Sequence, residues 1–494
     1  MSRPSRRAVL RATVGALAAL AGCGEAERAD PLADAGAPDL GTDAESPDAA
    51  PPDAAPPDAA PPDAGPVGLE ALPLDEARFP LGVQAGSATP TGALLWTFAA
   101  EAGAYSVHVW PESAPEQASS LPVEVPAEVE GYVRVTADAL TPDTVYRYAF
   151  VFGEGAARTR SGIGRFVTAL APGARRVVRL GATACTNFSR APYRTLELMA
   201  AERLDFFCHL GDMSYNDGAE TLEAFRAKWA RTLGDPGYRA LLASTGTYIT
   251  WDDHEIIDGS RFGAAAPELI AAGKRAFFES LPVPHREGDR FWASYRWGDT
   301  VEVFVLDSRT ERRPETRETP EAEYLSAAQY EWLTTALKAS PCHFKVLLNS
   351  VPITALPPLW IFENDRWAGY AAQRRALLDF LAAEAIENVF FLSGDFHVGA
   401  VARVEAQGPD ARHWEVWAGP GASNGNPLQL IVDNDPTQRA QIYPPAQFLY
   451  GSGRHAATTL ELDPDANTVR VRYVGLDAAG APEVLFDQAL VWGA

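Results

Sequence analysis

Four apolar runs, each ending in a polar cluster, constrain this chain more than any other feature. They are RLGATACTN (179–187), LDFFCHLGDMSYND (204–217), TYITWDDHEIID (247–258) and NVFFLSGDFHVG (388–399). A short run of Phe, Leu, Val and Ile reads as a buried strand that delivers the residues after it at its carboxyl end. Cys185, Asp212, Tyr215, Asp253, Asp395 and His397 therefore sit at strand ends, where thiolate, phenolate, carboxylate and imidazole donors can meet. That is the donor chemistry of a metal site, and core packing gives no reason for four such clusters after four apolar strands.

The length of 494 residues suggests two domains plus tails. A net charge of -23 argues against a nucleic-acid partner, because a phosphate polymer would be repelled. Residues 1–23 read as an export signal: Arg6 and Arg7 form a twin arginine, and Ala8 to Ala21 is apolar but too short to span a bilayer. The segment closes on Leu20, Ala21, Gly22 and Cys23, which resembles a bacterial lipoprotein signal and implies lipidation at Cys23. The expectation is a lipoprotein of the cell envelope that touches the membrane only through its lipid; a periplasmic or secreted enzyme is the alternative. Residues 24–75 are rich in Ala, Pro and Asp, with PPDAA repeating from Pro51 to Asp63, and read as a disordered tether of polyproline character.

From 76 to 170 the pattern becomes short alternating segments such as GALLWTF, YSVHVW and VYRYAFVF, the signature of a small all-β sandwich. Within it, LTPDTVYRYAF (Leu140, Pro142, Thr144, Tyr146, Tyr148) resembles the immunoglobulin-like fibronectin type III domains. From 175 to 494 apolar strands alternate with helical stretches, including PYRTLELMAAER, TLEAFRAKWARTL and AAQRRALLDFLAAEA. That alternation predicts an α/β layered fold with ligands at the strand carboxyl ends. The last runs, TTLELD, TVRVRYVG and EVLFDQALVW, return to period two and predict added edge strands.

The ordered set ACTN, HLGDMSY, WDDHE, LDSRTER, YLSAAQYEWL, DRWAGYAAQR and LSGDFH, together with FPLGVQAG and LLWT upstream, resembles the alkaline phosphatase D (PhoD) family of metallophosphoesterases. GDMSYND beside a sandwich is also similar to purple acid phosphatases. The resemblance implies a calcineurin-like double β-sheet sandwich flanked by helices, and hydrolysis of phosphoesters. Such a reaction needs a nucleophile at neutral pH and neutralised phosphoryl oxygens, which two metals about 3.5 to 4 Å apart supply by activating a hydroxide.

By that resemblance Asp212 bridges both metals. The first also takes Cys185, Tyr215 and His397, a set that favours a trivalent or redox ion; the family implies Fe3+. The second takes Asp212, Asp253 and Asp395, hard oxygen donors that suit Ca2+. A His expected after the strand ending LLNSVP is missing, and Asn349 stands there, either as a ligand or with a water in its place. His254 follows Asp253 and is expected to diverge from it, hydrogen-bonding the phosphate and protonating the leaving group as general acid. Asp252 and Glu255 read as loop braces. Arg309 and Arg312 either bind phosphate or pair with Asp307 or a neighbouring acid; Asn187 is a further candidate for a phosphate oxygen. Trp360, Phe362 and Trp367 either wall a cleft or anchor a loop. Cys208 reads as a small apolar strand residue, with a bridge to Cys342 left open.

The function expected is an exported hydrolase of small phosphoesters. The alternatives are a phospholipase D-like or other phosphodiesterase on the same site, and a noncatalytic surface-binding lipoprotein.

Overall fold

The computed structural model describes residues 68–126, 131–259, 265–357, 359–360 and 366–493. Cys23, the rest of the export signal and the PPDAA repeats lie outside the described residues.

Strands are numbered in chain order. The first group is β1 (Val83–Thr89), β2 (Gly92–Phe98), β3 (Gly103–Pro111), β4 (Ser119–Val125), β5 (Tyr132–Ala137), β6 (Val145–Phe152), β7 (Thr159–Arg160) and β8 (Gly164–Val167). These make two facing layers, β1-β2-β5 and β4-β3-β6-β7 with β8 on β6. Alternate side chains from both layers, among them Val83, Leu95, Val107, Tyr148, Phe150 and Phe166, fill the space between them. Tyr146 pins the turn before its strand: its hydroxyl accepts from the Thr141 N–H at 2.9 Å, and its ring stacks on Phe166. The packed chain begins before the boundary expected at 76. Leu69 is buried beside Trp110 and Val151, and the Asp75 N–H donates to the Arg160 carbonyl at 2.9 Å.

The second group is β9 (Val178–Thr186), β10 (Phe206–Leu210), β11 (Gly246–Thr250), β12 (Ala293–Trp297), β13 (Val301–Val305), β14 (Phe344–Leu348), β15 (Val389–Ser393), β16 (Gly399–Arg403), β17 (Trp414–Trp417), β18 (Pro420–Ala422), β19 (Phe448–Ser452), β20 (Ala457–Asp463), β21 (Thr468–Leu476) and β22 (Pro482–Leu490). One sheet runs β22-β21-β20-β9-β10-β11-β1-β2-β5 with β18 on β9, and the other runs β12-β13-β14-β15-β17-β16-β19. The parallel strands β9, β10 and β11 face β13, β14 and β15 across a shared core that includes Leu180, Phe206, Val303, Val346 and Leu392. Strands buried on both faces read as unbroken apolar runs, which is why they were legible. The three terminal runs form the antiparallel edge β20-β21-β22.

The sandwich is not a separate bead. Its β1 pairs in parallel with β11, Ala85 opposite Gly246 and Gly86 opposite Thr247, so the β1-β2-β5 layer continues the main sheet. Both parts fall within one compact unit, Gly65–Ala494.

Helices cover the outer faces. Helices α1 (Arg194–Ala200), α2 (Leu222–Leu233) and α3 (Pro236–Ser244) turn Leu196, Met199, Phe225, Trp229 and Leu241 into the main core. The next is α4 (Pro267–Ser280), and α5 (Ala327–Ala339) and α6 (Ala371–Ala383) pack Leu333, Leu337, Leu377 and Leu381 on the second sheet. Thr221 and Ser326 start α2 and α5 by accepting the N–H groups of Ala224 and Gln329, each at 3.2 Å. No helix among the described residues is long and apolar enough to cross a membrane. Cys208 and Cys342 are buried free thiols, so the bridge left open does not form.

Candidate metal centre

The carboxyl ends of β9, β10, β11 and β15 converge. Cys185 Sγ, a carboxylate oxygen of Asp212 and a ring nitrogen of His397 lie within 4.8 Å of one another. Tyr215 closes the group: its hydroxyl lies 3.2 Å from Asp212 Oδ2 and 3.1 Å from His397 Nε2. Cys185, Asp212 and Asp253 form a buried floor, while Tyr215, His254, Asp395 and His397 are half-buried and open the site to solvent.

The backbone at these positions is unusual. Cys185 (φ 56°), Asp212 (φ 56°), Asp395 (φ 66°) and His397 (φ 53°) all occupy the left-handed region, which L-residues other than Gly seldom adopt. Strain of this kind collects where a site dictates side-chain direction. Gly211 (φ 100°) makes the approach possible, because a Cβ there would lie 2.4 Å from Asp252 Cβ. Glu255 fixes the floor by accepting N–H groups from Asp212 at 3.1 Å, Met213 at 2.5 Å and Asp252 at 2.9 Å, the bracing role expected of it.

Asp212 also shares a second cluster, in which oxygens of Asp212 and Asp253 and a ring nitrogen of His254 lie within 4.8 Å of one another. His254 was expected to diverge from Asp253 in an extended loop. The segment instead forms a tight turn, with the N–H groups of Ile256 and Ile257 donating to the Asp253 carbonyl at 2.9 and 2.8 Å, and the two side chains stay together. His254 Nδ1 lies 2.5 Å from Asp217 Oδ2, and its ring stacks on Tyr215 with centroids 4.2 Å apart.

Asp395 belongs to neither cluster; its Oδ1 lies 3.5 Å from Arg309 Nη2. That guanidinium is buried and bidentate on Asp252, with Nε on Oδ1 and Nη2 2.9 Å from Oδ2, and it lies 4.0 Å from Asp253 Oδ1. Of the two expectations for Arg309, the ion pair to a neighbouring acid is the one formed, and Asp252 is that acid. Arg312 donates to the Ser308 carbonyl and lies over the Tyr324 ring. Asn187 Oδ1 accepts the Ser189 N–H at 2.9 Å and caps a short turn. Asn349 Nδ2 donates to the Val351 carbonyl, and its buried Oδ1 has no hydrogen-bond partner among the described residues. Trp360 packs on Phe396 and Trp417, and Trp367 on Tyr324, so both anchor a loop; Phe362 lies outside the described residues.

Burial, then Asp253 and Asp252, raises the Asp212 carboxyl well above its usual range. Burial and then Asp252 push Asp395 up to about 7. Burial, then Asp212 and Asp395, raises the Cys185 thiol, and burial followed by Asp212 raises Tyr215. Burial lowers His397 to about 4. Burial also opposes charge on His254, but Asp253, Asp212 and Asp217 outweigh it and raise this imidazole well above its ordinary value.

The sequence profile of PhoD-like phosphatases matches residues 180–471, and that of their N-terminal domain matches residues 67–170. The chain belongs to the PhoD-like phosphatase family. Alkaline phosphatase D of Bacillus subtilis (strain 168) is 27% identical over 314 residues, 54% of this chain and 53% of its own. The chain thus spans about half the length of that curated relative. A solved structure of PhoD is similar with a TM-score of 0.74 at 21% identity, covering 84% of this chain and 90% of its own. Purple acid phosphatase PPD1 from yellow lupin (Lupinus luteus) seeds gives 0.58 at 14% identity, covering 83% and 74%. Both support the expected calcineurin-like double-sheet fold.

The PhoD-like family implies a metal cofactor, and the residues present fit one. Asp212, Asp252, Asp253, Glu255 and Asp395 are crowded at one strand-end face; burial, followed by neighbouring carboxylates, raises Asp212 and Asp395, and a cation would relieve that carboxylate repulsion. Asn349 Oδ1 is an orphaned buried acceptor at the end of β14. Asp217 ends the GDMSYND string, yet its place beside His254 has no signature in that string. Asn424, whose backbone hydrogen-bonds His397, carries no local sequence signal at all.

Proposed function

We propose that this chain hydrolyses small phosphoesters with two bound metal ions. The observation that carries the reading is the sharing of Asp212 between the Cys185–Tyr215–His397 group and Asp253, whose carboxylate lies within 4.8 Å of it. The thiol, phenol and imidazole set suits Fe3+, and Asp212, Asp253 and Asp395 are the oxygen donors assigned to a Ca2+-class ion. When bound, such ions neutralise phosphoryl charge and lower the pKa of a water.

The chain's own residues do the rest. His254, oriented by Asp217 and the Tyr215 ring and favoured in its protonated form by the Asp217 carboxylate, is placed to hydrogen-bond the phosphate and protonate the leaving alkoxide. Arg309 is a positioning residue that holds Asp252 and Asp395. Glu255 holds the two strand-end turns against each other. The export reading, with Cys23 as lipid anchor, places this activity in the cell envelope.

The test is metal analysis and a visible spectrum of the purified protein, with phosphate release from a monoester and a diester. Near-stoichiometric iron and calcium, a tyrosinate band and turnover of either ester support the proposal. A colourless protein that takes up neither metal and cleaves neither ester rejects it. In the His254→Ala protein, metal content is expected to stay constant while turnover falls about 10²-fold or more; unchanged turnover removes His254 from the reaction.

A further inference from the structure

Beside β18, which pairs with the end of β9, lies a cleft of about 310 Å³, lined by Arg190, Arg194, Arg454 and His455, with no carboxylate among its lining residues. In a chain of net charge -23, three guanidinium groups around one concavity, of which only Arg454 is paired with an acid, run against the average charge. Arg194 is exposed and makes no side-chain hydrogen bond or ion pair among the described residues. Arg190 Nε donates to Asn424 Oδ1 at 2.9 Å, and Arg454 Nη2 donates to the Leu476 carbonyl and to Glu483 at 2.7 Å. These contacts hold the two side chains at the cleft rim.

The wall is continuous with the metal centre. Ala422 lies opposite Thr186 in the β18-β9 pair and accepts the Asn187 N–H at 2.7 Å, while Thr195 Oγ1 donates to the Gly421 carbonyl at 2.6 Å. Asn424, which Arg190 grips by its side chain, hydrogen-bonds His397 by its backbone. His455 Nε2 lies 2.9 Å from the Ser423 carbonyl, in the same segment.

We propose that this cleft is a second anion subsite that takes a phosphoryl group. Planar guanidinium forks from separate elements match tetrahedral phosphate oxygens. The phosphoryl group comes either from a substrate that carries a second phosphate beyond the ester at the metal centre, or from free inorganic phosphate. The substrate source rests on the hydrolase reading; the binding itself does not.

Calorimetric titration of inorganic phosphate into the metal-loaded wild type, an Asp212→Asn variant and an Arg194→Gln/Arg454→Gln variant tests the subsite. Two phosphate sites are expected in the wild type. Asp212→Asn loses one, and the arginine variant weakens the other about tenfold or more. An Arg194→Lys/Arg454→Lys variant retains part of that affinity because charge persists without the fork, and thermal melts check that all variants fold. Wild-type stoichiometry and affinity in the folded Gln variant overturn the proposal.

Kinetics then separates the sources. A rise in KM for a bisphosphorylated ester, relative to a single-phosphate ester, assigns the subsite to substrate. An unchanged ratio with weakened inhibition by phosphate assigns it to the free anion. If no ester turns over but the arginine-dependent phosphate site persists, the hydrolase reading fails and the subsite stands.

Discussion

Cys185, Asp212, Asp395 and His397 carry left-handed backbone at a cost of roughly 1–2 kcal/mol each, and these four converge on one site. The cost is understandable if each residue aims its donor at a common point. His254 depends on a different neighbour. Asp217 contributes negative charge beside the imidazole, so the Asp217→Asn protein is expected to have a lower His254 pKa. The alkaline limb of the pH–rate profile, where the acid loses its proton, then moves to lower pH; a limb that stays in place removes Asp217 from this role. Asp217 was present in the quoted motif, yet nothing in one string says which ring it will face.

At the level of elements, the β10 end and the β11 end must approach closely for Asp212 and Asp253 to share a site, and Gly211 is the contact point. The Gly211→Ala protein meets Asp252 Cβ and also forces a side chain into φ 100°. It is expected to lose at least about 1–2 kcal/mol of stability and most of its bound metal, read by a lower Tm and by metal analysis. Wild-type metal content in that variant means the strand ends tolerate separation. The apolar runs identified β9, β10, β11 and β15 because strands buried on both faces write their burial into composition. The turns after them were not legible. The Asp252–Ile256 turn is set by Glu255 accepting three N–H groups, two of them from another strand end.

Across the whole molecule, β1 completes the main sheet by pairing with β11, so a chain beginning at Val178 exposes an unpaired strand edge. That truncated chain is expected to aggregate or melt well below the longer one, and the longer chain to unfold in one transition; a stable, soluble truncation with full metal content contradicts this. Acid stability is also a global property. Burial lowers His209 to about 3 and His413 to about 4, so both are neutral in the fold down to those values. The unfolded chain protonates them near 6.5, hence their contribution is fully present above about pH 6.5 and is lost as pH falls toward 4 and then 3, with a slope of up to about 1.4 kcal/mol per pH unit for each. Asp395 and Glu255, raised to about 7, act in the opposite sense. The check is therefore a difference: His413→Gln should flatten the loss of Tm between pH 6.5 and 4 relative to wild type, and parallel curves reject the assignment.

The amino-acid sequence by itself determined which strands are buried, that they alternate with helices, and which donor types stand at their ends, because hydrophobic periodicity and side-chain chemistry are local properties. Only the tertiary structure decided that Arg309 clamps Asp252, fifty-seven residues away, that His254 turns back beside Asp253, and that β1 joins the main sheet. It also gathered Arg190, Arg194 and Arg454 around one cleft. Each of these depends on how distant segments meet, and distance in space is set by the packing of the two sheets.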